Sequence, residues 1–322
     1  MKILVTGGAG YVGSTLVPML LSAGHRVRVL DSLQHGGAPL LGVWAHPDFE
    51  FERGDIRDAA AVQRAVAGVD AVVHLAAIVG DPACARDPAL ARAVNLEASF
   101  ALISESRARG VSRFVFASTC SNYGRMADPN ALVHEDSELR PVSLYAETKV
   151  AVEKVLLESP PAAGWTPTPL RFSTVYGVSP RMRFDLTVNE FAQELVVKKQ
   201  LKVFGEQFWR PYIHVRDAAR AIQCVLESPV EKVVRRVFNV GDTSQNFQKQ
   251  QIVDLALKHV PEGVVEYVRR TEDPRDYRVD FSRIQKELGY AISWTVPDGI
   301  AEIVRLIRSH VITDFDHPSF RN

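Results

Sequence analysis

The run Lys2–Thr6 (KILVT) leads straight into Gly7-Gly8-Ala9-Gly10-Tyr11-Val12-Gly13, and Val12–Ala23 then continues with helical spacing. No other feature restricts the chain as much. A short apolar stretch stops at glycine, and the glycines satisfy both GxGxxG and GxxGxxG before a helical pattern begins. Glycine lets the chain turn tightly and lets backbone approach a pyrophosphate, while the following helix N-terminus offers free N–H groups and a positive dipole end. A glycine cluster alone marks a turn. Between a strand and a helix it reads as the phosphate loop of a dinucleotide-binding βαβ unit.

The pattern continues past the loop. Arg26–Leu30, Phe49–Arg53, Ala71–Leu75 and Arg113–Ser118 are strand-like, and Ala59–Ala67 and Leu90–Arg109 are helical stretches between them. This alternation predicts a parallel sheet with helices on both faces. Farther on, Ser143–Ser159 is helical and closed by Pro160-Pro161. Thr168–Phe172 and Val237–Val240 are strand-like, and Asp185–Lys199, Lys249–His259 and Asp298–His310 are helical. Thr313–Asn322 reads as a polar surface tail. The predicted fold class is α/β: a Rossmann-type doubly wound parallel sheet with a smaller mixed α/β substrate lobe toward the C-terminus. Residues 1–172 are expected to form the NAD-binding domain, with the chain returning to it around 208–242. Residues 173–207 and 243–322 are expected to form the substrate-binding lobe.

Composition removes several function classes. Lys+Arg and Asp+Glu both number 38, so bulk electrostatic attraction to nucleic acid is not expected. Cys84, Cys120 and Cys224 form no CxxC pair, so neither a metal site nor a disulfide framework is expected. No apolar run approaches the roughly 18 residues of a membrane span. The opening MKILVTGGAG lacks the apolar core of a signal peptide. A cytoplasmic setting is the resulting expectation.

Asp31 ends the second strand-like stretch, where an acid hydrogen-bonds the adenosine ribose hydroxyls and repels a 2′-phosphate. That favours NAD over NADP, although a helix cap or turn residue would look the same. Asp55, in Gly54-Asp55-Ile56-Arg57, is a candidate partner for the adenine amino group or a turn aspartate. Tyr145 and Lys149 in YAETK are four apart and share one helix face. An ammonium beside a phenol favours the phenolate, and an oxidised nicotinamide would add positive charge, so Tyr145 becomes a usable base. Ser118 and Thr119 follow a strand at the sheet edge where ligands bind, and either hydroxyl could hold a reacting oxygen or simply close a turn.

Together TGGAGYVGS, Asp31, GDIRD, His74-Leu75-Ala76-Ala77, Asn95, STCSNYG, YAETK, Leu170-Arg171-Phe172 and Arg210–Asp217 (RPYIHVRD) span nearly the whole chain. In this order they resemble the extended short-chain dehydrogenases/reductases, in the nucleotide-sugar epimerase/dehydratase branch. The resemblance implies NAD as cofactor and a nucleoside-diphosphate sugar as substrate. It implies that Thr119 holds the reacting sugar oxygen, Tyr145 acts as base, and Lys149 tunes Tyr145 and holds the nicotinamide ribose. Gly7, Gly10, Tyr11, Val12, Gly13, Asp31, Asp55, Ile56, Ala76, Ala77 and Asn95 are the further cofactor residues it implies. Ser118, Thr174, Asn189, Arg210 and one of Arg270 or Arg275 are the substrate residues.

Departures narrow the chemistry. The 4,6-dehydratases carry Asp-Glu after the threonine, and the sugar-acid decarboxylases usually carry a glutamate at the second of those positions; here they are Cys120 and Ser121. Thr174 stands where relatives commonly have asparagine. The leading expectation is an NAD-dependent epimerase working through a transient keto-sugar at C4. The alternatives are a keto-sugar reductase or dehydratase of the same family, or a non-catalytic NAD sensor. Apolar residues on the Tyr–Lys helix (Val150, Val152, Val155, Leu156, Leu157) and the preceding helix (Phe100, Leu102, Ile103) suggest a homodimer.

Overall fold

The first strand, β1 (Lys2–Thr6), ends where Gly7 turns the chain at a φ of 76°. A Cβ there would lie 2.8 Å from the Ala76 amide nitrogen. At Gly13, the first residue of α1 (Gly13–Ser22), a Cβ would lie 2.3 Å from the Gly7 carbonyl oxygen. Only glycine fits at either position. The structure, a computed structural model, describes residues 1–126, 128, 131–160, 163–268 and 275–322.

The chain continues through β2 (Arg26–Asp31), β3 (Phe49–Arg53), α2 (Ala59–Val66), β4 (Ala71–His74), α3 (Asp81–Arg86), α4 (Pro88–Arg92), α5 (Ala98–Ala108), β5 (Arg113–Thr119) and α6 (Leu144–Glu158). It then forms β6 (Thr166–Phe172), β7 (Thr174–Tyr176), α7 (Thr187–Lys198), β8 (Gln200–Phe204), β9 (Trp209–His214), α8 (Val215–Glu227), α9 (Val230–Val233) and β10 (Phe238–Val240). The last part holds β11 (Asn246–Gln248), α10 (Lys249–Leu257), β12 (Val264–Val268), α11 (Ser282–Leu288) and α12 (Val296–Arg308).

Seven strands form a parallel sheet in the order β10-β6-β5-β4-β1-β2-β3. The order reverses between β1 and β4, which opens a crevice at the strands' C-terminal edge. Both faces are covered. Ile3, Val5, Val27 and Val29 pack with α1 and α8 on one side, while Leu4, Leu30, Val72 and Phe114 pack with α2, α5 and α6 on the other. The near-continuous apolar strands follow from burial on both faces. A third core, with Phe191, Leu195, Ile252, Ile300 and Ile303, joins α7, α10 and α12 in a C-terminal lobe carrying β11-β9-β7 and β12-β8. Ile284 of α11 and Tyr290 pack into the first core, so this stretch of the expected substrate lobe also folds onto the large sheet.

Several elements differ from expectation. The helix expected over Leu90–Arg109 is present, running without a gap through α4, a π-helical turn and α5, and it starts two residues earlier than expected. Asp87 caps α4 by accepting from the Leu90 amide at 2.9 Å, and Ala93–Glu97 forms a π-helical turn before α5. The tail is docked: the Phe184 amide donates to the Phe320 carbonyl at 2.9 Å, and Phe315 and Phe320 meet the Phe184 ring edge-on. Its polar composition hid two phenylalanines that complete the third core. The apolar residues expected at a dimer face are largely spent inside the chain. Val152, Leu156, Leu102 and Ile103 are buried in the second core, and Val155 and Phe100 pack against it. No helix among the described residues is long and apolar enough to cross a membrane.

Candidate active site

A cavity of about 570 Å³ follows the C-terminal edge of β2, β1, β4 and β5 in that order. At the β2 end it is lined by Asp31, Gln34, His35, Asp55 and Ile56. Gly7, Gly10, Gly13, Ala76 and Ala77 line its middle, and Ser121, Thr119, Tyr145, Lys149, Thr174 and Tyr277 its far end. The size suits a small-molecule or cofactor site. The loop forced to glycine at Gly7 and Gly13 brings bare backbone and the α1 N-terminus to the centre of this space. A dinucleotide fits it with its diphosphate there.

At the β2 end the Asp31 carboxylate accepts from the Ala9 amide at 2.9 Å and the Leu33 amide at 2.8 Å, which ties strand, glycine loop and side chain together. Burial raises its pKa above the usual carboxylate value, against those two hydrogen bonds. Asp55 is clasped by Arg57, whose Nη2 lies 2.7 Å from Oδ2. That hydrogen bond holds the acid below its ordinary pKa.

At the far end Ser143 caps α6 and starts the helix that presents Tyr145 and Lys149. Lys149 Nζ donates to the Ala117 carbonyl at 2.9 Å and lies over the rings of Phe116 (4.7 Å) and Tyr145 (5.9 Å). Burial pushes the lysine down to about 8, with Cys84 and Glu153 opposing. Burial raises Tyr145, Cys84 and Asp81 raise it further, and Arg183 draws it down. Desolvation of the phenol dominates, so Tyr145 stands above its ordinary value and not below it as expected beside Lys149. Thr119 accepts from the Ser121 amide at 3.1 Å, which leaves its hydroxyl proton available to a ligand.

The polar groups of other expected residues are engaged within the protein. The Ser118 hydroxyl, placed with the substrate above, donates to Glu153 and accepts from Asn122, so it is turned into the core. Cys120 is fully buried with its thiol on the Arg171 carbonyl at 3.1 Å, and burial raises it far above a usable range. Asn95 sits in the π-helical turn and holds both backbone groups of Ile78, at 2.8 and 2.9 Å. The Tyr11 phenol donates to the Gly177 carbonyl at 2.6 Å, and Asn189 donates to that phenol and to the Arg183 carbonyl. Arg210 lies 5.4 Å from the Tyr277 ring centre, one layer behind the cavity. Arg275 forms an ion pair with Asp81 at 2.9 Å. Arg270 lies outside the described residues.

The sequence reading missed Tyr277, His35, Arg181 and Arg183 on the cavity wall. The arginines were legible as a pair in Ser179-Pro180-Arg181-Met182-Arg183, close after Thr174. Tyr277 carries no local signal.

Residues 3–241 match the family described as the NAD dependent epimerase/dehydratase family. The chain belongs to that family. It is an NAD-dependent enzyme that processes nucleotide sugars. It is 33% identical over 318 residues to a dTDP-glucose 4,6-dehydratase of Streptomyces griseus, covering 96% of this chain and 94% of that one. It is 29% identical to a UDP-glucose 4-epimerase of Corynebacterium glutamicum, covering 90% of each. Among solved structures it resembles the dTDP-glucose 4,6-dehydratase of Streptomyces venezuelae with NAD bound (TM-score 0.86, 29% identity, 96% of this chain and 98% of that one). The Thermus thermophilus UDP-glucose 4-epimerase complex with NAD is similarly close (TM-score 0.84, 27% identity, 97% and 100%).

For this epimerase/dehydratase-family enzyme, Asp31→Ala should weaken NAD by about 10- to 100-fold, the value of one or two hydrogen bonds to a charged group. The preference for NAD over NADP should narrow as the anionic repulsion is lost. Titrating both cofactors against both proteins measures this, and a wild-type preference for NADP would reverse the assignment of Asp31.

Proposed function

We propose that the enzyme is a nucleotide-sugar epimerase that inverts one carbon, C4, through a transient keto-sugar. One observation carries the reading. Among the described residues, the carboxylates lining the cavity are Asp31 and Asp55, both at the β2 end. The far end presents Thr119, Ser121, Tyr145, Lys149 and Tyr277 instead. Elimination of water needs an acid for the leaving hydroxyl. Here Cys120 is turned inward, and the Ser121 hydroxyl is 3.3 Å from the Tyr277 phenol.

In this reading the Thr119 hydroxyl donates to the reacting sugar oxygen and orients it. Tyr145 takes the proton from that oxygen as the keto-sugar forms and returns it after the sugar is re-presented. When bound, NAD supplies the hydride acceptor and, in its oxidised form, positive charge in this pocket. Lys149, fixed on the Ala117 carbonyl, holds its ammonium beside the Tyr145 ring and the cofactor's ribose. With cofactor and substrate filling the cavity, water is displaced from the phenol, so electrostatic stabilisation of the phenolate acts in a low dielectric. Thr174 lines the sugar side. Arg210, behind Tyr277, and Arg275, paired with Asp81, are in this reading the arginines that turn to the sugar nucleotide's diphosphate, where a bidentate fork suits the ligand. A cytoplasmic homodimer completes the reading; its support is the family resemblance, because the helix residues first invoked for it are spent in the core.

The test follows product mass. Purified enzyme is incubated with nucleoside-diphosphate hexoses and hexuronates without added coenzyme. The expected product is an isomer of unchanged mass. A main product lighter by one water would make the enzyme a dehydratase, and one lighter by carbon dioxide a decarboxylase. A product heavier by two hydrogens, with NADH consumed, would make it a reductase.

A further inference from the structure

The loop between β7 and α7 is fastened to the N-terminus of α1. Ser179 donates to the Tyr11 carbonyl at 2.6 Å, and the hydroxyls of Ser14 and Thr15 bond the Ser179 hydroxyl at 3.0 and 3.2 Å. The Arg181 amide donates to Ser14 at 3.2 Å, and the Tyr11 phenol donates to Gly177 as described above. Every one of these bonds is buried. Their common result is to seat Arg181 and Arg183 in the wall of the cavity that also contains the glycine loop.

The two arginines are not equally paired. Asp185 takes Arg183 in a fork, with both N···O distances 2.8 Å. Arg181 forms no ion pair among the described residues. Its Nη2 donates to the Arg321 carbonyl and the Asn322 side-chain oxygen, and its buried Nε has no hydrogen-bond partner. Burial and the neighbouring Arg183 push it down to about 10, so it remains charged at neutral pH. A buried guanidinium with an unsatisfied N–H is costly unless an anion meets it. Position identifies the anion. The Arg181 amide is bonded to Ser14 in the first turn of α1, and both arginines line the cavity that has the glycine loop at its centre and runs from Asp31 to Tyr145. The pair therefore lies between the adenosine and nicotinamide ends, at the level of the glycine loop, where a bound dinucleotide carries its diphosphate.

We propose that Arg181, steadied by Arg183 and the Tyr11–Ser179 fastening, is a second clamp on the NAD diphosphate, completing the hold begun by the glycine loop. The clamp retains NAD between turnovers. The assignment rests on NAD being the cofactor and is independent of which sugar chemistry follows. The sugar nucleotide also carries a diphosphate, so the experiment separates the two.

Arg181→Gln and Arg181→Lys are purified beside the wild type. NAD released by acid is counted per chain, and NAD and inorganic pyrophosphate are titrated against stripped protein. KM for the nucleotide sugar is measured at saturating NAD. Arg181→Gln should lose most co-purifying NAD, bind added NAD about 10- to 100-fold more weakly, and lose most of its response to pyrophosphate, with the sugar KM unchanged. Arg181→Lys should fall between, because a lysine keeps the charge but not the fork. Wild-type NAD affinity in Arg181→Gln would overturn the clamp, and so would a defect confined to the sugar KM. If the glutamine variant does not fold, wild-type NAD affinity in Arg181→Lys overturns it and a loss of about tenfold upholds it.

Discussion

Tyr145→Phe should lower turnover by about 10²–10⁴-fold, the usual contribution of a positioned acid–base group. The variant keeps the ring and loses the hydroxyl. Its NAD affinity should stay near that of the wild type, since Lys149, the glycine loop and Asp31 are untouched. Burial holds the phenol protonated, and Arg183 favours ionisation. The tyrosine should thus become a base only once positive charge arrives, which makes its removal costly and confines the cost to chemistry. Single-turnover kinetics on NAD-loaded protein checks this. Near-wild-type turnover in the phenylalanine variant would remove Tyr145 from the reaction.

Arg171→Met should destabilise the fold by about 3–5 kcal/mol, the penalty for stranding one partner of a buried ion pair. Arg171 and Glu153 are buried to 4% and 2% side-chain exposure and meet at 2.7 Å. Glu153 also accepts from Ser118 and from Asn122 at 2.9 Å, and Arg171 also donates to the Tyr123 phenol at 3.0 Å and the Glu135 carbonyl at 3.1 Å. The methionine leaves the Glu153 charge in the core with only neutral donors. Adding Glu153→Leu removes that charge, so the double variant should lose less than the two single changes combined. Urea denaturation of the four proteins measures the coupling. Additive losses would mean that the two side chains do not act as a pair. Because Ser118 and Asn122 flank Thr119, this network also fixes the end of β5 on which Thr119 stands.

The dinucleotide half was legible in the sequence because its determinants are local. Gly7 and Gly13 sit where neighbouring backbone leaves no room for a Cβ, and the strands beside them are continuous apolar runs. Ile3 and Leu4 alternate between two cores, so a parallel sheet was the only economical reading. Tyr145 and Lys149 were legible for the same reason: four residues on a helix set their spacing without help from the rest of the chain. The C-terminal lobe was less legible. Of its strands β8 alternates with one solvated face, β9 carries a proline, and β7 and β11 are three residues long.

The direction of side chains was decided by tertiary structure. Ser118 and Thr119 are adjacent and chemically alike, yet strand pleating sends one to Glu153 and the other to the cavity. Tyr11 and Asn189 looked like ligand contacts and became the fastening between distant segments, because a buried phenol and a buried amide must find partners. Arg181 and Arg183 were not singled out in the sequence, and the fastening is what brings them to the cavity of the phosphate loop. Residue type and local spacing specified the backbone cradle and the Tyr–Lys pair. Which polar groups meet a ligand depended on burial and long-range hydrogen bonding, and those exist only once the chain has folded.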